Sequence, residues 1–487
     1  MLVLMQEVMN KSGVSFGTSG ARGLVSQMTD RVCYIYTRAF LASIEKHYPS
    51  EKKVAVAGDL RPSTDRILKA IFRASLDQGF EFVYGGKSPS PAIALYGIQN
   101  KIPSIMVTGS HIPEDRNGIK FNHPFGEISK KDEEQIVLQE VQIEESLFDT
   151  QGFFVESLDL PSVETTVAQN YVDRYVQFFG EKALQGLSVG VYQHSAVGRD
   201  LLVLVLEKLG AYVQKLGFSD VFVPVDTEAI RNEDEILAKK WIQGGLDAIV
   251  STDGDSDRPL LSDDMGNWIR GDLLGILTAK FLGAQGIATP VSCNTALEKS
   301  KAFEKVQRTR IGSPYVIAGM EKLLEDTNTV VGYEANGGFL LGSDIVEGSK
   351  LLQKLPTRDA FLPIITVLRE VIKQRKNISD LLEDLPTRFT ASDRLKNFPN
   401  KKSASILKLL KNNSEAEKIF GAISGNLVEI NEVDGYRMTF DSAEIIHLRP
   451  SGNAPEFRCY TEADTEERAK KILVLVLEQV QKISKTL

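Results

Sequence analysis

Cysteine is scarce in this chain: three in 487 residues, Cys33, Cys293 and Cys459, far apart and odd in number. No CxxC pair and no disulfide framework can be drawn from them, which fits a reducing cytosol and predicts a cytoplasmic protein. A basic excess is missing as well. Fifty-seven Lys and Arg against 65 Asp and Glu leave a net charge of -8. That argues against nucleic-acid and membrane-surface binding, because polyanions need a cationic excess to neutralise them. A small anionic substrate stays open, since a few local arginines can hold one phosphate. No apolar run approaches about 18 residues, so no membrane span is expected. The start, MLVLMQEVMN, lacks a basic segment and breaks its apolar run at Gln6 and Glu7, so no signal peptide is expected. Low-complexity stretches and short-period repeats are absent from the sequence.

What is present describes an ordinary globular protein, 42% hydrophobic and 25% charged. Its length exceeds what one core fills, so several domains are expected. β-rich runs at 54–57, 104–107, 187–191, 247–250 and 329–332 are each followed by Gly, Asp or Ser and then by an amphipathic stretch. This alternation predicts α/β units with mostly parallel sheets, whose ligands bind at the carboxyl ends of the strands. From about residue 377 the strands become short and hairpin-like, at 437–440, 444–448 and 457–460, before a final helix over about 465–486 with Thr465 as N-cap. The expected division is 1–152, 153–262 and 263–376 as α/β domains and 377–487 as a smaller α+β domain.

Five loops carry candidate chemistry. Asp253-Gly254-Asp255-Ser256-Asp257-Arg258 places three carboxylates at alternate positions, the oxygen donors a hard cation such as Mg²⁺ needs. It is not an EF-hand, because Arg258 stands where that loop needs Gly and Asp264 where it needs Glu. A solvated acidic turn is the alternative. Thr108-Gly109-Ser110-His111-Ile112-Pro113 sets a serine at a strand end, where a nucleophile or merely a turn could sit. It is not the GxSxG elbow. Lys120, after Asn117-Gly118, is either a proton carrier or phosphate contact, or a surface lysine. Phe16-Gly17-Thr18-Ser19-Gly20-Ala21-Arg22-Gly23 offers backbone N–H groups and one cation to an anion. Gly332-Tyr333-Glu334-Ala335-Asn336-Gly337-Gly338 brings a carboxylate and an amide, which suit sugar hydroxyls. Arg449 and Arg458 flank Ser451-Gly452-Asn453, a turn able to form a phosphate nest. Together the loops form an inventory for phosphoryl transfer on a sugar phosphate.

All five loops, in this order and spanning nearly the whole chain, resemble the α-D-phosphohexomutase superfamily, the phosphomannomutases and phosphoglucomutases. The resemblance implies three similar α/β domains and a smaller fourth. It implies that Ser110 is phosphorylated and, with Asp253, Asp255 and Asp257, ligates Mg²⁺. Arg22 and Lys120 match positions for proton transfer and stabilisation. Ser19, His111, Arg258, Glu334, Asn336, Arg449, Ser451, Gly452, Asn453 and Arg458 match positions that bind substrate. The implied reaction interconverts hexose 6-phosphate and hexose 1-phosphate, most readily mannose phosphate, with a hexose 1,6-bisphosphate as activator. Three departures bear on the sugar: Ile112 replaces a common Asn, Asn336 and Gly338 replace Ser and His, and Asn453-Ala454 replaces Thr-Glu. Glucose phosphate, or both sugars, is the alternative substrate. A non-catalytic sugar-phosphate binder and a serine hydrolase, which would need a histidine backed by a carboxylate near Ser110, are the alternative functions.

Overall fold

The apolar runs read in the sequence become the inner strands of three sheets in the structure, a computed structural model that describes residues 1–17, 20–156, 158–451 and 455–486. The expected site residues Ser19, Gly452 and Asn453 lie outside the described residues.

The three sheets repeat one topology. In the first, Lys53–Gly58 lies between its parallel neighbours Glu81–Lys87 and Ser104–Val107, and Arg116–His123 runs antiparallel beside the last. In the second, Ser188–His194 lies between Tyr212–Phe218 and Ala248–Thr252, with Pro259–Leu261 antiparallel. In the third, Gly286–Pro290 lies between Lys305–Thr309 and Val330–Tyr333, with Phe339–Leu341 antiparallel. Strands Ser104–Val107, Ala248–Thr252 and Val330–Tyr333 are buried at every position. Helices cover both faces of sheets of this kind, and for that reason these strands read as unbroken apolar runs. Each of the three ends in a loop that reverses the chain into the antiparallel strand. Those equivalent loops hold Ser110, the three aspartates, and Glu334 with Asn336.

An apolar core containing Ala55, Val189 and Ile287 runs continuously through the three sheets. Inside it Tyr171 donates to Asp359 Oδ1 at 2.7 Å and Tyr175 to Asp359 Oδ2, tying the helix Thr166–Phe179 to the third sheet. The C-terminal part has its own core around Phe420, Met438, Leu448 and Ile472. Its sheet is antiparallel throughout, in the order Phe389–Leu395, Phe457–Ala463, Ile445–Pro450, Tyr436–Phe440, Leu427–Asn431. The last helix, Glu466–Ser484, begins where Thr465 Oγ1 accepts from Arg468 N at 3.2 Å, as the cap chemistry predicts. Polar contacts join this unit to the third sheet's neighbourhood, among them Ile311 N donating to Asp434 Oδ2 at 3.0 Å and Arg310 Nε to the Val433 carbonyl at 3.0 Å.

Candidate active site

Ser110 is fully buried and adopts a left-handed backbone, φ 56°, a conformation non-glycine residues hold only where the surroundings over-determine it. Arg61 supplies much of that constraint. Its guanidinium donates to the carbonyls of Ser110 at 2.9 Å, Ile112 at 2.5 Å, Pro113 at 2.8 Å and Arg116 at 3.1 Å, and pairs with Asp59 at 3.2 Å. It also lies over the Phe222 ring, 4.1 Å from the centroid. Gly109 and Gly254 make the close packing possible. A Cβ on Gly109 would stand 2.5 Å from the Arg61 guanidinium carbon, and one on Gly254 would stand 2.6 Å from the Ser110 carbonyl oxygen.

The aspartate loop meets the serine loop directly. Ser110 Oγ donates to Asp253 Oδ2 at 2.7 Å, while Asp253 Oδ1 accepts from the backbone of Asp257 and Arg258, each at 3.2 Å. Asp253, Asp255 and Asp257 are buried, and their carboxylate oxygens lie within 4.8 Å of one another. Burial and the charges of Asp255 and Asp257 push the Asp253 carboxyl well above its usual range. Burial opposes the charge of Asp255 too, but Lys120 and Ser90 more than offset it and hold that carboxyl below the usual range. Asp257 is likewise held low against burial, chiefly by Arg358.

Lys120 is not a surface residue. From strand Arg116–His123, opposite Met106, its Nζ reaches Asp255 Oδ2 at 2.5 Å and Asp257 Oδ2 at 2.6 Å. Asp255 Oδ1 and Asp257 Oδ1 are buried without a hydrogen-bond partner among the described residues. All-oxygen donors, unsatisfied and clustered, fit a hard divalent cation such as Mg²⁺.

Arginines flank the same carboxylates. Arg258 Nε stands 3.9 Å from Asp253 and 3.7 Å from Asp257. Arg358 bridges Asp257 Oδ2 at 3.0 Å and Glu334 Oε2 at 3.4 Å, so it connects the aspartate loop to the sugar-type loop. Arg22 follows on strand Ala21–Leu24, and burial together with Arg258 and Arg358 pushes it down to about 10. These three guanidiniums oppose one another's charge and that of the neighbouring His111, an environment that a phosphate dianion would relieve.

His111 tests the hydrolase alternative. Its Nδ1 lies 3.3 Å from Ser110 Oγ and its Nε2 4.0 Å from Asp226 Oδ2, which has the outline of a triad. However, Arg258 Nη1 donates to the same Nδ1 at 2.7 Å. Burial, then Arg258 and Arg22, push the imidazole down to about 2. A base that weak cannot take the serine proton at neutral pH.

Glu334 and Asn336 are buried at the cleft, where the Asn336 side-chain oxygen accepts from Gly338 N at 3.0 Å and its carbonyl from Thr227 Oγ1 at 2.7 Å. Arg449 and Arg458 are directly opposed across two strands of the C-terminal sheet, and Ser451 is buried beside them. The structure therefore brings Ser110, His111, Lys120, the three aspartates and Arg258 into contact, links Glu334 through Arg358, and sets the arginine pair on a separate wall. Arg61, Ser90 and Arg358 are absent from the sequence reading. Only their positions could have flagged them, Arg61 just after Lys53–Gly58, Arg358 within Leu355–Asp359 and Ser90 at the start of the helix Ser90–Asn100.

Comparison with known proteins agrees with this geometry. Residues 13–147 match the model of phosphoglucomutase/phosphomannomutase α/β/α domain I, residues 270–389 that of domain III, and residues 396–479 that of the C-terminal domain. The chain is 45% identical to a phosphomannomutase of Salmonella muenchen over 98% of its own length and 97% of that protein. It is 41% identical to a phosphomannomutase of Sinorhizobium fredii, over 95% and 97%. Among solved structures, a phosphoglucomutase/phosphomannomutase family protein of Burkholderia thailandensis shares the fold with a TM-score of 0.73 at 20% identity, covering 96% of this chain and 97% of that one. An N-acetylphosphoglucosamine mutase of Aspergillus fumigatus, in complex with GlcNAc-6P and magnesium, shares it with a TM-score of 0.57 at 14% identity over 99% of each chain. With three family domains matched in order and close relatives aligned end to end, the chain belongs to the phosphoglucomutase/phosphomannomutase family and is a phosphohexomutase.

Proposed function

We propose that the enzyme interconverts mannose 6-phosphate and mannose 1-phosphate through a phosphoserine at Ser110. The observation that carries this is the placement of Ser110 Oγ, 2.7 Å from Asp253 in a buried three-aspartate cluster that Arg258 and Arg358 flank. The choice of mannose is supported by the two relatives that bear the name phosphomannomutase. The same reading keeps the division at 152, 262 and 376, with one of the four large sheets in each part, and the three buried thiols suit a reducing cytosol.

Asp253, Asp255, Asp257 and the oxygen on Ser110 would hold Mg²⁺, which when bound neutralises charge on the transferring phosphoryl group. The chain's own residues do the rest. Arg61 and the left-handed turn aim Ser110 Oγ into the cleft. Arg22, Arg258 and Arg358 balance charge spread over the phosphoryl oxygens, which matters because the transition state is loose and catalysis is largely positioning and electrostatics. Lys120 and Arg22 are the cations placed to take up or balance the proton of the attacking hydroxyl. Glu334 and Asn336 face the sugar hydroxyls, and Arg449, Ser451 and Arg458, with the turn at Gly452 and Asn453, hold the distal phosphate. Transfer to the free hydroxyl yields a hexose 1,6-bisphosphate. This intermediate turns over in the cleft and returns its other phosphate to Ser110; free bisphosphate serves as activator by restoring the phosphoserine.

Phosphorus NMR of mannose 6-phosphate incubated with enzyme, Mg²⁺ and catalytic hexose 1,6-bisphosphate tests the reading. Growth of a mannose 1-phosphate signal is expected, faster than the matching conversion of glucose 6-phosphate. Faster turnover of the glucose ester would reassign the sugar. No turnover of either, with intact binding, would leave a sugar-phosphate binder.

A further inference from the structure

One face of the C-terminal sheet carries three arginines in a row. Arg394 stands directly opposite Arg458, and Arg458 directly opposite Arg449. Residues directly opposed on antiparallel strands share a face with their Cβ atoms about 5 Å apart, and like charges there repel. The row is answered by few carboxylates. Glu456 places Oε1 3.2 Å from Arg394 Nε and Oε2 3.4 Å from Arg458 Nη2, so one carboxylate spans two guanidiniums. Arg449 Nε has Asp434 Oδ1 at 3.3 Å.

This row adjoins a cavity on the same face of the sheet. Two residues further along the same face come Tyr460 and His447, which line a cavity together with Glu228 and Arg270. Glu228 in turn lies in the field of Arg258 and Glu334, in the catalytic cluster. The row also borders the phosphate-type turn, where Ser451 N donates to the Glu456 carbonyl at 2.9 Å. Arg394 is within reach of a ligand, since its side chain is 48% exposed while Glu456 is 17% exposed.

We propose that Arg394 is a third ligand of the substrate's distal phosphate, and that Glu456 occupies the phosphate's place until substrate arrives. The inference rests on the mutase reading above, in which Arg449 and Arg458 bind that phosphate. A carboxylate offers one charge and two oxygens to two guanidiniums. A phosphate ester offers nearly two charges and three free oxygens, matching all three, so the exchange favours the ester.

The two residues have opposite expected effects, which a merely structural ion pair would not give. In steady-state assays of the full chain, Arg394→Gln raises KM for mannose 6-phosphate by about tenfold or more with kcat changed less than about threefold, and Arg394→Lys recovers part of the loss. Glu456→Gln lowers KM, because the internal competitor is gone. Calorimetric titration of mannose 6-phosphate into the Ser110→Ala chain, with and without each substitution, reads the same ranking independently of turnover. Weaker binding in both variants, or an unchanged KM in Arg394→Gln, would overturn the proposal. If the wild type binds with this ranking but turns nothing over, the arginine row stands and the mutase reading falls.

Discussion

Replacing Arg61 should disable the enzyme although its guanidinium is spent on the backbone of the serine loop and on Asp59. The side chain is fully buried, donates to four carbonyls of the serine loop and compensates the buried charge of Asp59. Burial already pushes Asp59 upward with Arg61 in place, so an apolar replacement leaves that carboxylate with hydrogen bonds from Thr64 and Gly109 but without its paired cation. Breaking one side of a buried pair costs about 3–5 kcal/mol, and Arg61→Met should lose stability on that scale. Arg61→Lys keeps the charge beside Asp59 but not the planar fork that reaches several carbonyls at once. The left-handed geometry of Ser110, which costs about 1–3 kcal/mol to hold, then relaxes. A displacement of about 1 Å at the nucleophile reduces kcat about 100-fold. The assay is kcat of Arg61→Lys together with hydrogen exchange across residues 108–116, which should quicken. Wild-type kcat with unchanged exchange would refute the claim that the guanidinium fork holds the loop.

Gly254→Ala pushes a methyl group to within 2.6 Å of the Ser110 carbonyl oxygen; overpacking of about 1–3 kcal/mol and a marked drop in kcat are expected, and wild-type kinetics would contradict the contact. Asp255→Asn removes one of three clustered carboxylates, so half-maximal activity should require at least about tenfold more Mg²⁺, and an unaltered metal requirement would contradict the donor set. His447 donates from Nε2 to the Asp434 carbonyl while its buried Nδ1 has no partner among the described residues, and burial pushes it down from 6.5 to about 4. Between those values the unfolded chain binds a proton that the folded chain does not. Its contribution is complete above pH 6.5 and is lost as pH falls toward 4, by about 3 kcal/mol at about 1.4 per unit. Urea-denaturation midpoints of His447→Gln should fall less steeply than wild type over that window; parallel curves would contradict it.

The inner strands were legible because a strand buried on both faces is written as an unbroken apolar run: the expected 104–107 is the observed Ser104–Val107, and 329–332 shifts by one residue to Val330–Tyr333. The five loops were legible because each carries its chemistry in consecutive residues. Two outer strands of the C-terminal sheet, Phe389–Leu395 and Leu427–Asn431, went unread because, lying at the sheet's edges with no buried position, neither FTASDRL nor LVEIN alternates apolar with polar residues throughout. Arg61 and Arg358 were missed for another reason. Each acts on a loop distant in sequence, Arg61 through backbone carbonyls that carry no residue signature and Arg358 through Asp257 and Glu334. Lys120 could be read as surface or site until the register with Ser104–Val107 turned it inward to Asp255 and Asp257. The arginine row is likewise a product of register across three strands, which no single segment encodes.

The most direct test of the phosphoserine is intact mass of the purified protein followed by peptide mapping around residues 104–120. One phosphate on Ser110, restored by hexose 1,6-bisphosphate with Mg²⁺ and lost to excess mannose 6-phosphate, is the predicted result. A Ser110 that stays bare after incubation with the bisphosphate and Mg²⁺ would contradict it.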